Sequence, residues 1–92
     1  MELSQKVSLN QDVLMQDLNG EAVFLNCDRE EYFSLDEVGT RILMVLQQSH
    51  SIESAYEALI EEYDVDPEKL RQDLLALVRE LEEHGLVKIT NS

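Results

Sequence analysis

Residues 12–26 read DVLMQDLNGEAVFLN, two apolar-rich runs joined at Asn19-Gly20. Asn-Gly is the dipeptide that most readily supplies the two positive φ angles of a type I′ turn, so Asp12–Leu18 and Glu21–Asn26 are expected to form an antiparallel hairpin. A polar break follows at Asn26-Cys27-Asp28-Arg29-Glu30. Beyond it, Tyr32-Phe33-Ser34-Leu35 offers a third strand, because two adjacent aromatics suit a half-buried pleated surface. The expectation is a three-stranded antiparallel meander over residues 12–35 with one exposed edge.

The apolar period then changes from two to between three and four. Ser34 with Glu37 matches a capping box, and Val38, Ile42, Val45 and Leu46 fall on one face of a helix over residues 36–47. Gly39 lies inside that helix at a cost of roughly 1 kcal/mol relative to Ala, which a close approach of strand backbone would explain. Ser51 caps a second helix, residues 51–63, with Ile52, Ala55, Tyr56, Leu59, Ile60 and Tyr63 as its apolar stripe. Asp66-Pro67-Glu68 supplies a cap, a proline whose missing N–H is harmless at the first helical position, and an acid favoured by the helix dipole. The third helix, residues 67–84, should stop where Gly85 can take a left-handed conformation. Leu86 to Ile89 could add a short strand. Residues 1–92 thus read as a single domain of the α+β class, a three-stranded antiparallel sheet followed by three helices.

Composition narrows the function. The 92 residues carry 7 basic and 20 acidic side chains, a formal net charge of −13. Binding to a nucleic acid backbone needs clustered Lys and Arg, so no nucleic-acid partner is expected. No apolar run reaches the length of a membrane span, and Met1 to Lys6 lacks the order of a signal peptide, so the expectation is a soluble, cytoplasmic chain with no membrane partner. Cys27 has no second cysteine to pair with, and His50 and His84 are too far apart in sequence for a metal-ligand motif. Cys27 also lies among acidic residues that do not stabilise a thiolate. Glu61-Glu62 and Glu82-Glu83 read as solvated helix faces. Asp64-Val65-Asp66 opens like a calcium loop but lacks its glycine and distal glutamate. No catalytic residue, metal site or cofactor is assigned.

Two features remain. The third helix has more leucine than one buried stripe requires: Leu70, Leu74, Leu77 and Leu81 form one line, and Leu75 and Val78 widen it. Either both flanks are core, or one lies open beside the border strand. An unpaired border next to a spare apolar face is what β-strand addition of a peptide requires, the ladder giving affinity and the pockets selectivity. Glu30 and Glu31 then guard the border against aggregation or form a charge collar for a basic peptide. Two readings of other classes compete. Ser34-Leu35-Asp36 superficially resembles the phosphopantetheine attachment motif of acyl or peptidyl carrier proteins, although those are essentially all-helical. A regulator with winged-helix shape would bind DNA with steep salt dependence.

The ordered set Val13-Leu14-Met15-Gln16, Asn19-Gly20-Glu21-Ala22-Val23-Phe24-Leu25-Asn26, Tyr32 through Ile42, Glu61 through Asp66 and Leu81 through Val87 resembles the PqqD-like family. The resemblance implies a winged helix-turn-helix-like precursor-peptide recognition element, used in making ribosomally synthesised, modified peptides. It implies that a precursor's leader pairs with the third strand and packs on the third helix. Carried over, the strand contribution is Glu30, Glu31, Tyr32, Phe33 and Ser34. The helix contribution is Leu70, Asp73, Leu74 and Leu77, with Lys69 at the groove's mouth. The chain is expected to be a non-catalytic adaptor, a monomer or weak dimer. It would serve a separate processing enzyme: the cysteine leader peptidase of a lasso-peptide system, or a radical S-adenosylmethionine enzyme in quinone cofactor biosynthesis.

Overall fold

The computed structural model describes residues 3–91. The hairpin forms as expected, β2 (Val13–Leu18) pairing with β3 (Glu21–Asn26), and β4 (Glu31–Ser34) adds on the far side in the order β2-β3-β4. Asn19 and Gly20 have φ of 58° and 87°, the two positive angles the turn demands. Ahead of them lies β1 (Gln5–Leu9), which the sequence reading missed. It pairs antiparallel with β5 (Val87–Asn91) in a separate two-stranded sheet, with Val7 opposite Ile89 and Leu9 opposite Val87. Only Val7 and Leu9 are apolar in β1, and its partner lies at the other end of the chain, so no local pattern announces it.

Three helices follow the meander: α1 (Glu37–Gln48), α2 (Ile52–Glu62) and α3 (Pro67–Glu83). The fold is α+β and winged helix-turn-helix-like, and its five strands among the described residues set it apart from an all-helical carrier protein. The first cap differs from the expectation. Asp36, not Ser34, closes α1 by accepting the Gly39 N–H at 2.8 Å, and Ser34 is still strand. The close approach at Gly39 is of the same origin: a Cβ there would lie 3.2 Å from the Asp36 carboxylate and 3.3 Å from Leu35 Cδ2, not against strand backbone. Ser51 and Asp66 cap α2 and α3 by accepting from Ser54 and Glu68. At the end of α3, Gly85 N–H donates to Glu82 O and Leu86 N–H to Leu81 O, the paired bonds of a Schellman stop with Gly85 at φ 70°. No basic residue stands in the last turn of α1; Lys6 from β1 reaches the carbonyls of Gln47 and Ser49 instead, at 3.1 and 2.7 Å.

One contiguous core joins these layers. Phe24 and Ala22 from β3, Leu43 and Leu46 from α1, Ile52 and Leu59 from α2, Leu74, Val78 and Leu81 from α3 and Val7 from β1 are buried together. Thr40, on α1 and buried, accepts the Ala22 N–H at 2.8 Å, which leaves no unsatisfied donor where β3 passes under the helix.

Candidate peptide-binding groove

Alternation fixes which backbone groups of β4 are free. Leu35 N–H donates to Ala22 O at 2.9 Å, and the register pairs Phe33 with Phe24 and Glu31 with Asn26. Every second residue faces the partner strand, so Glu31 and Phe33 point their N–H and C=O groups toward β3, and Tyr32 and Ser34 point theirs outward. Among the described residues no strand takes those groups, and the C-terminal strand β5 is paired with β1 instead. The border of β2 is open as well. The Cys27 N–H to Asp12 O bond places the outward groups there on Val13, Met15 and Asp17. The Val13 N–H donates to Asn10 O at 3.2 Å, and no strand among the described residues pairs with Met15 and Asp17, so the meander has two open edges rather than the expected one.

What distinguishes β4 is what lies beside it. Its continuation, Asp36, forms one lip of a cavity of about 390 Å³ between α1 and α3. Val38, Gly39 and Ile42 of α1 make one wall, Lys69, Leu70, Asp73 and Leu77 of α3 the other, and Tyr63 and Val65 close the end at the α2–α3 connection. Val38 is 54% exposed and Val65 47%, so apolar surface faces the open space. Lys69 and Asp73 stand at the rim, their charged ends 3.9 Å apart.

The β3–β4 corner is held against the C-terminal end of α3 by several bonds. Asn26, buried, donates from Nδ2 to His84 O at 3.2 Å and to Gly85 O at 3.4 Å, while its Oδ1 accepts from Asp28 and Arg29 N–H. Arg29 Nη1 donates to Glu83 O at 3.1 Å. The ring of Phe33 packs on the imidazole of His84 with centroids 4.7 Å apart. Glu30, with a φ of 56°, turns the chain into β4. These contacts tie the strand edge to the end of the helix.

Of the residues singled out from sequence, Glu30, Glu31, Tyr32 and Ser34 are exposed along the β4 edge and Phe33 is half-buried beneath it. Lys69, Leu70, Asp73 and Leu77 come together in the groove. Leu74 does not. It has no exposed surface and belongs to the core, a correction that follows from helix geometry: at 100° per residue, Leu77 and Asp73 lie to one side of Leu70, and Leu74 and Val78 to the other. Val38 is corrected in the opposite sense, from the buried stripe of α1 to the groove wall. Asp36, Gly39, Ile42, Tyr63 and Val65 also escaped the reading as groove residues. Unlike the leucine surplus of α3, they carry no local excess that would mark them.

Beside this groove Arg41 and Glu62 form an exposed bidentate pair, Nε to Oε2 at 2.9 Å and Nη2 to Oε1 at 2.6 Å. The hydrogen bonds from Arg41 hold the Glu62 carboxyl below its usual range, and the same contact raises Arg41. Partial burial, then the Glu62 charge, push the Tyr63 phenol up. Cys27 is an exposed thiol. Among the described residues no group of three or more His, Cys, Asp or Glu is placed to hold a metal ion, and no helix is long and apolar enough to cross a membrane.

Two solved structures share this fold. One, TbiB1 in complex with the TbiA(beta) leader peptide, is 30% identical in sequence with a TM-score of 0.80, over 87% of this chain and 93% of that one. The other, lasso peptide synthetase B1 complexed with the leader peptide, is 25% identical with a TM-score of 0.81, over 90% of this chain and 98% of that one. No curated protein sequence matches significantly. The family model described as coenzyme PQQ synthesis protein D matches residues 21–87, from the second strand of the hairpin to the start of β5. The chain belongs to the PqqD family.

Proposed function

We propose that this chain is a non-catalytic leader-peptide-binding protein that takes an extended precursor segment by strand addition to β4 and delivers it to a processing enzyme. The observation that carries the reading is the pair of outward ladder positions, Tyr32 and Ser34, running into an open apolar groove between α1 and α3. The two similar structures, each described as a complex with a leader peptide, support it. Tethering is the mechanism. A substrate held by its leader reaches an effective concentration at the partner's active site in roughly the millimolar range, with no new catalytic group.

The preferred partner is the cysteine leader peptidase of a lasso-peptide system, in keeping with the lasso peptide synthetase B1 likeness. The family description favours a second reading, a peptide chaperone for a radical S-adenosylmethionine enzyme in quinone biosynthesis. The test is titration of isotope-labelled protein with synthetic leader segments of precursors encoded beside the gene. Amide shifts at Tyr32, Ser34 and Val38 and along 69–77 are expected. Saturable binding that leaves β4 and α3 unperturbed would overturn strand addition at this edge. Pull-down with the peptidase and with the radical enzyme, each with and without leader, separates the two partners.

A further inference from the structure

We propose, building on the leader-binding reading, that the groove continues past Val38 into a second subsite that takes a lysine or arginine side chain of the same peptide. Val38 and Tyr63 line both the groove and a neighbouring cavity of about 420 Å³. A chain leaving the β4 edge therefore crosses one exposed valine to pass from one to the other. The second cavity sits between the β2–β3 turn, with Asp17 and Gly20, and the α1 face that carries Glu37, Arg41 and Met44, with Glu62 opposite.

Its chemistry differs from that of the groove. Three carboxylates, Asp17, Glu37 and Glu62, face one guanidinium, and Arg41 is committed to Glu62 through Nε and Nη2. Asp17 spends Oδ1 on the Gly20 N–H at 2.8 Å and keeps its other oxygen, and Glu37 has no ion pair among the described residues. Two carboxylates are thus left uncompensated beside apolar surface from Val38, Met44 and Tyr63. A long cationic side chain satisfies both halves, its methylenes on the apolar wall and its head between the acids. A second copy of this chain is a poor occupant, since each copy carries a net charge of −13.

The test is selection of a random-peptide display library on the folded wild-type chain and on the double variant Asp17→Asn, Glu37→Gln. Asn keeps the turn's acceptor and Gln keeps the side chain's length. Wild-type selection is expected to yield an apolar stretch with Lys or Arg at a fixed offset, and replacing that residue by Ala should weaken binding about fivefold to wild type but not to the double variant. An apolar stretch with no fixed basic position overturns the subsite and leaves the leader reading standing. No enrichment on wild type, or enriched peptides whose binding is indifferent to Leu77→Asp, overturns the leader reading and the subsite with it.

Discussion

Phe33, in the middle of the border strand, lies ring against ring on His84 at the end of α3, with centroids 4.7 Å apart and planes inclined by 42°. The same phenyl group also meets Phe24, its cross-strand partner, with centroids 6.5 Å apart. The edge that would receive a peptide is thus fastened by alternate residues to the core and to α3, while its other residues stay free. Phe33→Ala should lower stability by about 2 kcal/mol, less than a fully buried phenylalanine, and Tyr32→Ala by no more than about 0.5 kcal/mol. Urea denaturation of both variants checks the contrast.

The outward direction of the Tyr32 N–H gives a sharper pair. Tyr32→Pro deletes a group with no partner among the described residues, so it should fold normally and lose peptide affinity in calorimetry. Phe33→Pro deletes a ladder bond to β3 and should lose about 1–3 kcal/mol of stability by leaving its acceptor unpaired. Equal stability of the two variants would contradict the register.

On α3, Leu74 and Leu77 should part company. Leu74→Ala opens a cavity in the core and is expected to cost about 2–5 kcal/mol in chemical denaturation. Leu77→Asp changes the groove wall at a half-buried position. It should keep its helical circular dichroism and lose leader binding.

The cap of α1 also forms the lip of the groove. Asp36→Ala should destabilise by about 1 kcal/mol, and Asp36→Asn, which keeps the acceptor for the Gly39 N–H, by only a few tenths. Thermal melts of the two variants distinguish capping from charge.

Glu62 predicts a pH dependence. Its carboxyl is held below the ordinary value of 4.5, chiefly by hydrogen bonds from Arg41. A depressed folded value means that the unfolded state binds protons first as pH falls. The stability from the pair is therefore complete above the unfolded carboxyl range and lost as pH drops through the folded value. The melting temperatures of wild type and Glu62→Gln should differ at neutral pH and converge in acid.

Local chemistry made much of this fold legible. Asn19-Gly20 specifies two positive φ angles within two residues, Asp66-Pro67 starts a helix within one turn, and Gly85 ends it. Each acts over a few bonds, and each expected helix boundary falls within a residue of the observed one. The family likeness rests on the same ordered signals, whereas the leucine surplus of α3 left open whether both flanks were core or one faced outward.

What the sequence by itself determined is therefore the order of the elements from β2 through α3 and the chemistry along each of them, but not β1. Only the tertiary structure decided that β5 closes on β1 and leaves β4 unpaired, that Val38 is wall and Leu74 is core, and that Asp36, Tyr63 and Val65 meet across one opening. Helical period states that a face is apolar. Which part of that face is covered depends on how helices far apart in sequence dock on one sheet, and that is settled by the packing of the whole core rather than by any short stretch of chain.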